Sequence, residues 1–176
     1  FNNDGKKDIV TANSTTSTVS VMIGNGNATF AAASNLPVGS DPIYAAIADV
    51  NLDGNQDILS ANRNSADVTL RLGDGAGGFG PAVSIAVGSA PNHVDVGDVN
   101  GDGVPDIVSA DTNSNQGSVR PGDGVGGFAA AATYGVGTSP FSVTFGDFNN
   151  DGRMDLTTAN SGSDNISVLL NNCQTV

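Results

Sequence analysis

The nine residues Asp98–Asp106, D-V-N-G-D-G-V-P-D, decide the fold because they recur at a fixed spacing. The frame returns as D-V-N-L-D-G-N-Q-D at Asp49–Asp57 and D-F-N-N-D-G-R-M-D at Asp147–Asp155, and without its first residue as F-N-N-D-G-K-K-D at Phe1–Asp8. Its glycines fall at 5, 54, 103 and 152, a step of 49 residues each time. Oxygen side chains at positions 1, 3, 5 and 9, with glycine at position 6, suit a loop that wraps a hard cation. Carboxylates and amide carbonyls two residues apart in a tight turn aim at one point, and glycine takes a backbone angle that a side chain resists. A flexible ring of oxygens favours Ca2+ over Mg2+, which keeps more of its water. The competing reading is a set of Asx turns that close without an ion. Three carboxylates within nine residues repel one another, which favours the cation.

Outward from each loop the chain enters a short apolar run, at Ile9–Ala12, Ile58–Ala61, Ile107–Ala110 and Leu156–Ala159. Runs this short, bounded by Asp-Gly and Asn, predict strands. Next comes an alternating segment, clearest at Val19, Val21 and Ile23 and at Ile166, Val168 and Leu170, which places one set of side chains on one face of a second strand. Gly-rich turns follow at 24–30, 73–79 and 122–128. Phe30, Phe79 and Phe128 are expected to open a third strand, and a fourth follows each of Pro42, Pro91 and Pro140 into the next loop. No segment has room for a helix of ten residues with a 3.6-residue period. The expected fold is all-β: four-stranded antiparallel sheets on a 49-residue repeat, packed radially as β-propeller blades. Counted from the loops, one array covers 1–176, with repeats at about 1–48, 49–97, 98–146 and 147–176. The strand before each loop is expected innermost, because it is short and rich in small residues such as Ala45, Ala46, Ala48, Gly97 and Gly146.

All eighteen acidic residues are aspartate, and eleven of them lie in the repeated loops. The net charge of −12 is therefore mostly ligand charge, and does not call for a basic partner. Neither a basic cluster nor a run of eighteen apolar residues occurs, so neither nucleic-acid binding nor membrane insertion is expected. Cys173 stands alone, and is either a free thiol or paired outside this sequence. Loops with few carboxylates bind Ca2+ at roughly 10⁻⁴ to 10⁻³ M, which implies an extracellular or cell-surface setting.

These motifs resemble the FG-GAP or VCBS-type repeats of integrin α-subunit propellers and of secreted bacterial proteins. Phe79-Gly80 leads to Ser89-Ala90-Pro91 and then to Asp98, and the other repeats keep the Phe-to-Pro offset with Ala31 or Ala129 after the Phe. The resemblance departs at Asn171-Asn172-Cys173, which replaces the Gly-rich turn and puts the last outer strand in doubt. It implies three to four Ca2+ ions. The implied ligands of the second loop are Asp49, Asn51, Asp53, Asp57 and the carbonyl of Asn55. In the third they are Asp98, Asn100, Asp102, Asp106 and the carbonyl of Val104, and in the fourth Asp147, Asn149, Asp151, Asp155 and the carbonyl of Arg153. The first keeps Asn2, Asp4, Asp8 and the carbonyl of Lys6.

Strand counting gives three, four, four and three, or about three and a half to four blades. An open array exposes two apolar sheet faces, so a larger ring is expected, completed by flanking repeats or another copy of the chain. The functional expectation is a calcium-stabilised binding, adhesion or scaffolding module for a protein or glycan ligand, with a lectin-like propeller as the alternative. An enzyme is not expected, because no nucleophile–base pair recurs and most carboxylates are assigned to the loops. His93 and Asp95, two apart on a predicted strand, are the one candidate dyad and read more simply as surface or channel-lining residues. Arg71 and Arg120 share an outward position with Met22 and Leu169, which suggests a solvated or inter-blade face.

Overall fold

The computed structural model describes residues 1–172; Cys173 lies outside them. Fourteen strands form four antiparallel sheets of three, four, four and three strands. Blade 1 holds β1 (Ile9–Asn13), β2 (Thr18–Met22) and β3 (Ser34–Pro37). Blade 2 holds β4 (Pro42–Ala48), β5 (Asp57–Asn62), β6 (Asp67–Arg71) and β7 (Val83–Ala86). Blade 3 holds β8 (Pro91–Gly97), β9 (Asp106–Asp111), β10 (Gln116–Arg120) and β11 (Ala132–Gly135), and blade 4 holds β12 (Pro140–Gly146), β13 (Asp155–Asn160) and β14 (Asn165–Leu169). No helix is present among the described residues, so none is long and apolar enough to cross a membrane. Each blade begins with the strand that precedes its Asp-rich loop. Blade 1 therefore lacks an inner strand, and blade 4 lacks an outer one among the described residues.

The inner strands β4, β8 and β12 lie against one another, and small residues allow the approach. A Cβ added to Gly97 would meet the Phe145 ring at 3.1 Å. Alternation of period two sends one face of each blade onto the next. Leu59, Ala61, Val68 and Leu70 of blade 2 share a buried cluster with Val94 and Ile107 of blade 3. Val108, Ala110 and Val119 of blade 3 pack with Val143 and Leu156 of blade 4. Val19 and Val21 of blade 1 pack with Ile58 of blade 2. The core is thus a series of blade junctions, as expected of sheets that cannot bury both faces alone.

One local expectation needs correction. Phe30, Phe79 and Phe128 do not open the third strand; each forms an isolated bridge, to Gly24, Gly73 and Gly122. The ladder resumes only at Ser34, Val83 and Ala132. In blade 2 Pro81 stands in the gap and has no N–H to donate. The phenylalanines close the Gly-rich turn, with Ala31, Gly80 and Ala129 donating back to the carbonyls of Ile23, Leu72 and Pro121.

Crossovers from the rim of one blade to the axis of the next are pinned at both ends. Val38, Val87 and Val136 donate to the carbonyls of Ser17, Ala66 and Asn115 in the blade just left. Their successors Gly39, Gly88 and Gly137 donate to the hydroxyls of Thr69, Ser118 and Ser167 in the blade being entered. Glycine is needed at this contact: a Cβ at Gly39 would lie 2.4 Å from the Ser65 hydroxyl and 2.6 Å from the Asn62 amide.

Candidate metal loops and an inter-blade patch

The Asp-rich loops lie at the exit of β4, β8 and β12, and the first stands at the start of the chain in the same register. Their backbone takes positive φ at position 4 (Asn3, Leu52, Gly101, Asn150) and at position 6 (Gly5, Gly54, Gly103, Gly152). The two left-handed residues turn the first three oxygen-bearing side chains back over the loop's own amides. In the third loop Asp98 accepts from the N–H groups of Gly101, Asp102 and Gly103. Asp102 accepts from Val104 at 2.8 Å and from the Asn100 amide at 2.9 Å, while Asn100 accepts from the Asp102 N–H. The second and fourth loops repeat this pattern through Asp49, Asn51 and Asp53, and through Asp147, Asn149 and Asp151. The N–H bond from Asn55, with help from the Asn51 amide, holds the Asp53 carboxyl below the ordinary aspartate range. In the first loop Asp4 accepts from the Lys6 N–H and is lowered chiefly by it.

Position 9 is different. Asp57, Asp106 and Asp155 are fully buried, and each spans two elements. One oxygen accepts from the loop's second residue (Val50, Val99, Phe148), the other from the end of the following hairpin (Gly73, Gly122, Asn171). Burial raises the Asp57 carboxyl above its ordinary range despite the two N–H donors. Asp8 follows the pattern, with Gly24 as one donor and the Phe1 amine where the others have a main-chain N–H.

Donor chemistry in loops two to four fits a hard cation: three carboxylates, an Asn amide and a main-chain carbonyl within nine residues. Each carboxylate oxygen has two lone pairs, so the N–H bonds leave acceptor capacity. Among the described residues, however, no three His, Cys, Asp or Glu side chains converge as a metal-holding group. The structure thus shows an Asx-turn network made of the right donors, and does not show a formed cage.

At the opposite end of the inner strands lies an arrangement that sequence reasoning missed. The Tyr44 ring stacks on the His93 imidazole across the boundary between blades 2 and 3, with centroids 4.0 Å apart and planes tilted by 41°. Beside them the Arg63 Nε donates to Asn92 Oδ1 at 3.1 Å, and Arg63 pairs loosely with Asp41 at 3.7 Å. The signal was present, since 44 and 93 differ by one repeat of 49 and fall at the same place in adjacent blades. His93 and Asp95 do share a face, yet His93 Nδ1 is buried without a hydrogen-bond partner and Asp95 accepts from the N–H of Val96. Burial lowers the imidazole pKa, against the pull of Asp95. Arg71 and Arg120 prove to be inter-blade clasps. Arg71 donates to the carbonyl of Pro37 on blade 1 and to that of Gly80, and Arg120 to those of Ala86 on blade 2 and Ala129.

The sequence matches the FG-GAP-like repeat family three times, over residues 1–60, 49–109 and 98–158. The chain belongs to the FG-GAP-like repeat family. The overlapping matches reproduce the 49-residue step and cover every Asp-rich loop. No curated protein matches the chain. Among solved structures, an Agrocybe aegerita lectin, described by its specific recognition of non-reducing terminal N-acetylglucosamine, superposes with a TM-score of 0.52 at 21% identity. The superposition covers 90% of this chain and 48% of the lectin, so the FG-GAP-like array spans about half that protein's length. Identity this low shows likeness of fold alone.

Proposed function

We propose that this chain is a calcium-stabilised binding module of an extracellular protein, with no catalytic role of its own. The observation that carries the reading is the repetition of one oxygen donor set, at one 49-residue spacing, in three complete Asp-rich loops and in a first loop that keeps all but its leading position. Ions would be held by Asp49, Asn51, Asp53, Asp57 and the Asn55 carbonyl, and by their counterparts in the third and fourth loops. The first loop offers Asn2, Asp4, Asp8 and the Lys6 carbonyl. A bound Ca2+ supplies positive charge that offsets the mutual repulsion of the loop carboxylates. The main-chain N–H of Asn55 holds the Asp53 carboxyl below the ordinary aspartate range, and so ionised and ready to bind. At about 2 mM free ion and a Kd near 10⁻⁴ M, each filled loop contributes roughly 1.8 kcal/mol by mass action, so three give about 5 kcal/mol. Isothermal titration with CaCl2 should give three to four sites, and an absence of saturable binding would reject the calcium reading.

A lectin-like ligand is the second reading, favoured by the Tyr44–His93 stack beside Arg63 and Asn92. An aromatic face bordered by hydrogen-bonding side chains suits a sugar ring. The lectin of similar fold supports trying N-acetylglucosamine first. A glycan array followed by titration with the sugar tests this, and Tyr44→Ala should abolish any binding found. Silence on the array, with capture of a protein from extracellular medium, would favour a protein ligand.

A further inference from the structure

The turn between β2 and β3 departs from its counterparts in the next two blades. Where those turn on Ala76-Gly77-Gly78 and Val125-Gly126-Gly127, blade 1 has Asn27-Ala28-Thr29. Ala28 takes a φ of 65°, in the left-handed region that Gly77 and Gly126 enter without a side chain to resist it. The new side chains close the turn among themselves. The Thr29 N–H and hydroxyl both donate to Asn27 Oδ1, at 3.2 and 2.6 Å, and Asn25 Nδ2 donates to the Thr29 hydroxyl at 2.8 Å. In blades 2 and 3 the turn amides are instead accepted by Asp74 and Asp123. Among the described residues nothing accepts from Asn27 Nδ2. Asn27 is exposed, and so are Ala76 and Val125, although another blade stands before each of them. Exposure here therefore belongs to the turn itself, whatever precedes blade 1. The pattern Asn-x-Ser/Thr occurs twice more, at Asn13-Ser14-Thr15 and Asn165-Ile166-Ser167, and both of those are built into sheets. Asn13 Nδ2 donates to the hydroxyls of Thr18 and Ser20. Asn165, though exposed, opens β14 and accepts from Asn160 and Ser163, while the Ser167 hydroxyl is bonded to Gly137 and Asn160.

We propose that Asn27 is an acceptor for N-linked glycosylation. An Asn-x-Ser/Thr triplet on a surface turn of a secreted protein is the substrate of an oligosaccharyltransferase, so the proposal rests on the extracellular reading and on neither calcium nor ligand. The donor is an oligosaccharide carried on a lipid pyrophosphate. Asn27 Nδ2 forms a bond to the anomeric carbon of the sugar, and the bond from that carbon to the phosphate oxygen breaks. The pyrophosphate leaves with the electron pair, and the amide nitrogen gives up one proton to solvent. Asn27 Oδ1 keeps both its bonds from Thr29, so the turn is undisturbed. Asn13 has no such freedom, because a sugar on its nitrogen would remove a hydrogen already shared with β2. The turn lies at the same end of the sheet as the first Asp-rich loop, since the Gly24 N–H donates to Asp8. A glycan there covers that end and leaves the Tyr44–His93 patch, at the opposite end, open.

The test is expression of the chain behind a cleavable signal peptide in insect cells, with peptide mass spectrometry after a glycan-releasing amidase in heavy-oxygen water, which marks each modified asparagine as labelled aspartate. The expected result is one occupied site, Asn27, with Asn13 and Asn165 bare. Asn27→Gln should return the intact mass to the 17.5 kDa of the unmodified chain. Thr29→Ala should do the same while leaving the acceptor asparagine in place. Chain from the medium and from the cell lysate is read alike, so retention inside the cell counts against the extracellular reading while occupancy of Asn27 still decides the site. A bare Asn27 in both fractions overturns the proposal. So does a glycan on Asn13 or Asn165 at equal occupancy, or one on Asn27 that survives Thr29→Ala.

Discussion

Asp57, Asp106 and Asp155 each hold a loop and a hairpin together with one buried carboxylate. Sequence spacing identified these residues as ligand candidates. Their second partners could not be read, because Gly73, Gly122 and Asn171 come within reach only when a hairpin sixteen residues downstream has closed. Asp102, by contrast, is exposed and bonds only within its own loop. Asp102→Ala should therefore remove one calcium site and leave the second and fourth loops loaded, and titration that lost all sites at once would contradict their independence. Asp111 stands where the other repeats have Asn13, Asn62 and Asn160. Its carboxylate is buried against the hydroxyls of Ser109 and Ser118, and burial raises its pKa to about 6. A carboxyl more easily protonated folded than unfolded contributes most below the unfolded pKa, 3.8, and that contribution is lost as pH rises through about 6. The loss is on the order of 3 kcal/mol at most, for a shift of about two units. Asp111→Asn restores the amide whose counterparts Asn13 and Asn160 donate to Ser20 and Ser167. It should raise stability at pH 8 and flatten the pH 4–7 slope in urea melts.

Among the elements, the inner and second strands were legible almost to the residue, because alternation and the Pro and Asp-Gly signals bound them on both sides. The third strand was misplaced because Phe30, Phe79 and Phe128 read locally as strand residues, while their partners are the turn glycines before them. Arg71 and Arg120 could be placed facing outward but not assigned acceptors, since the carbonyls of Pro37 and Ala86 lie 34 residues earlier, on the preceding blade. Burial lowers the Arg71 pKa, yet the side chain keeps both its carbonyl partners. Arg71→Met, the residue found at 22 in blade 1, keeps the stem and removes the clasp. It should lower stability by about 1 kcal/mol, below the usual range for charged hydrogen bonds because the group is partly exposed. An unchanged urea midpoint would mean that water replaces the clasp without loss.

For the whole molecule, the three-four-four-three strand count, the all-β class and the repeat step were all readable, because each follows from a motif that recurs every 49 residues. The Tyr44–His93 patch was not, since nothing local marks two rings as neighbours until blades 2 and 3 are side by side. Filled loops contributing about 5 kcal/mol would match the lower end of the usual net stability of a domain, roughly 5–15 kcal/mol. Excess chelator at equal ionic strength should therefore lower the Tm sharply, and superimposable melts would mean the loops close without an ion. The crossover turns carry a different consequence. Val38 and Gly39 are consecutive amides, one bonded into blade 1 and the next into blade 2, and the same holds at 87–88 and 136–137. A blade cannot open without releasing a bond that also orients its neighbour. Hydrogen exchange should accordingly find these six amides exchanging together with the inner strands, in one cooperative unit.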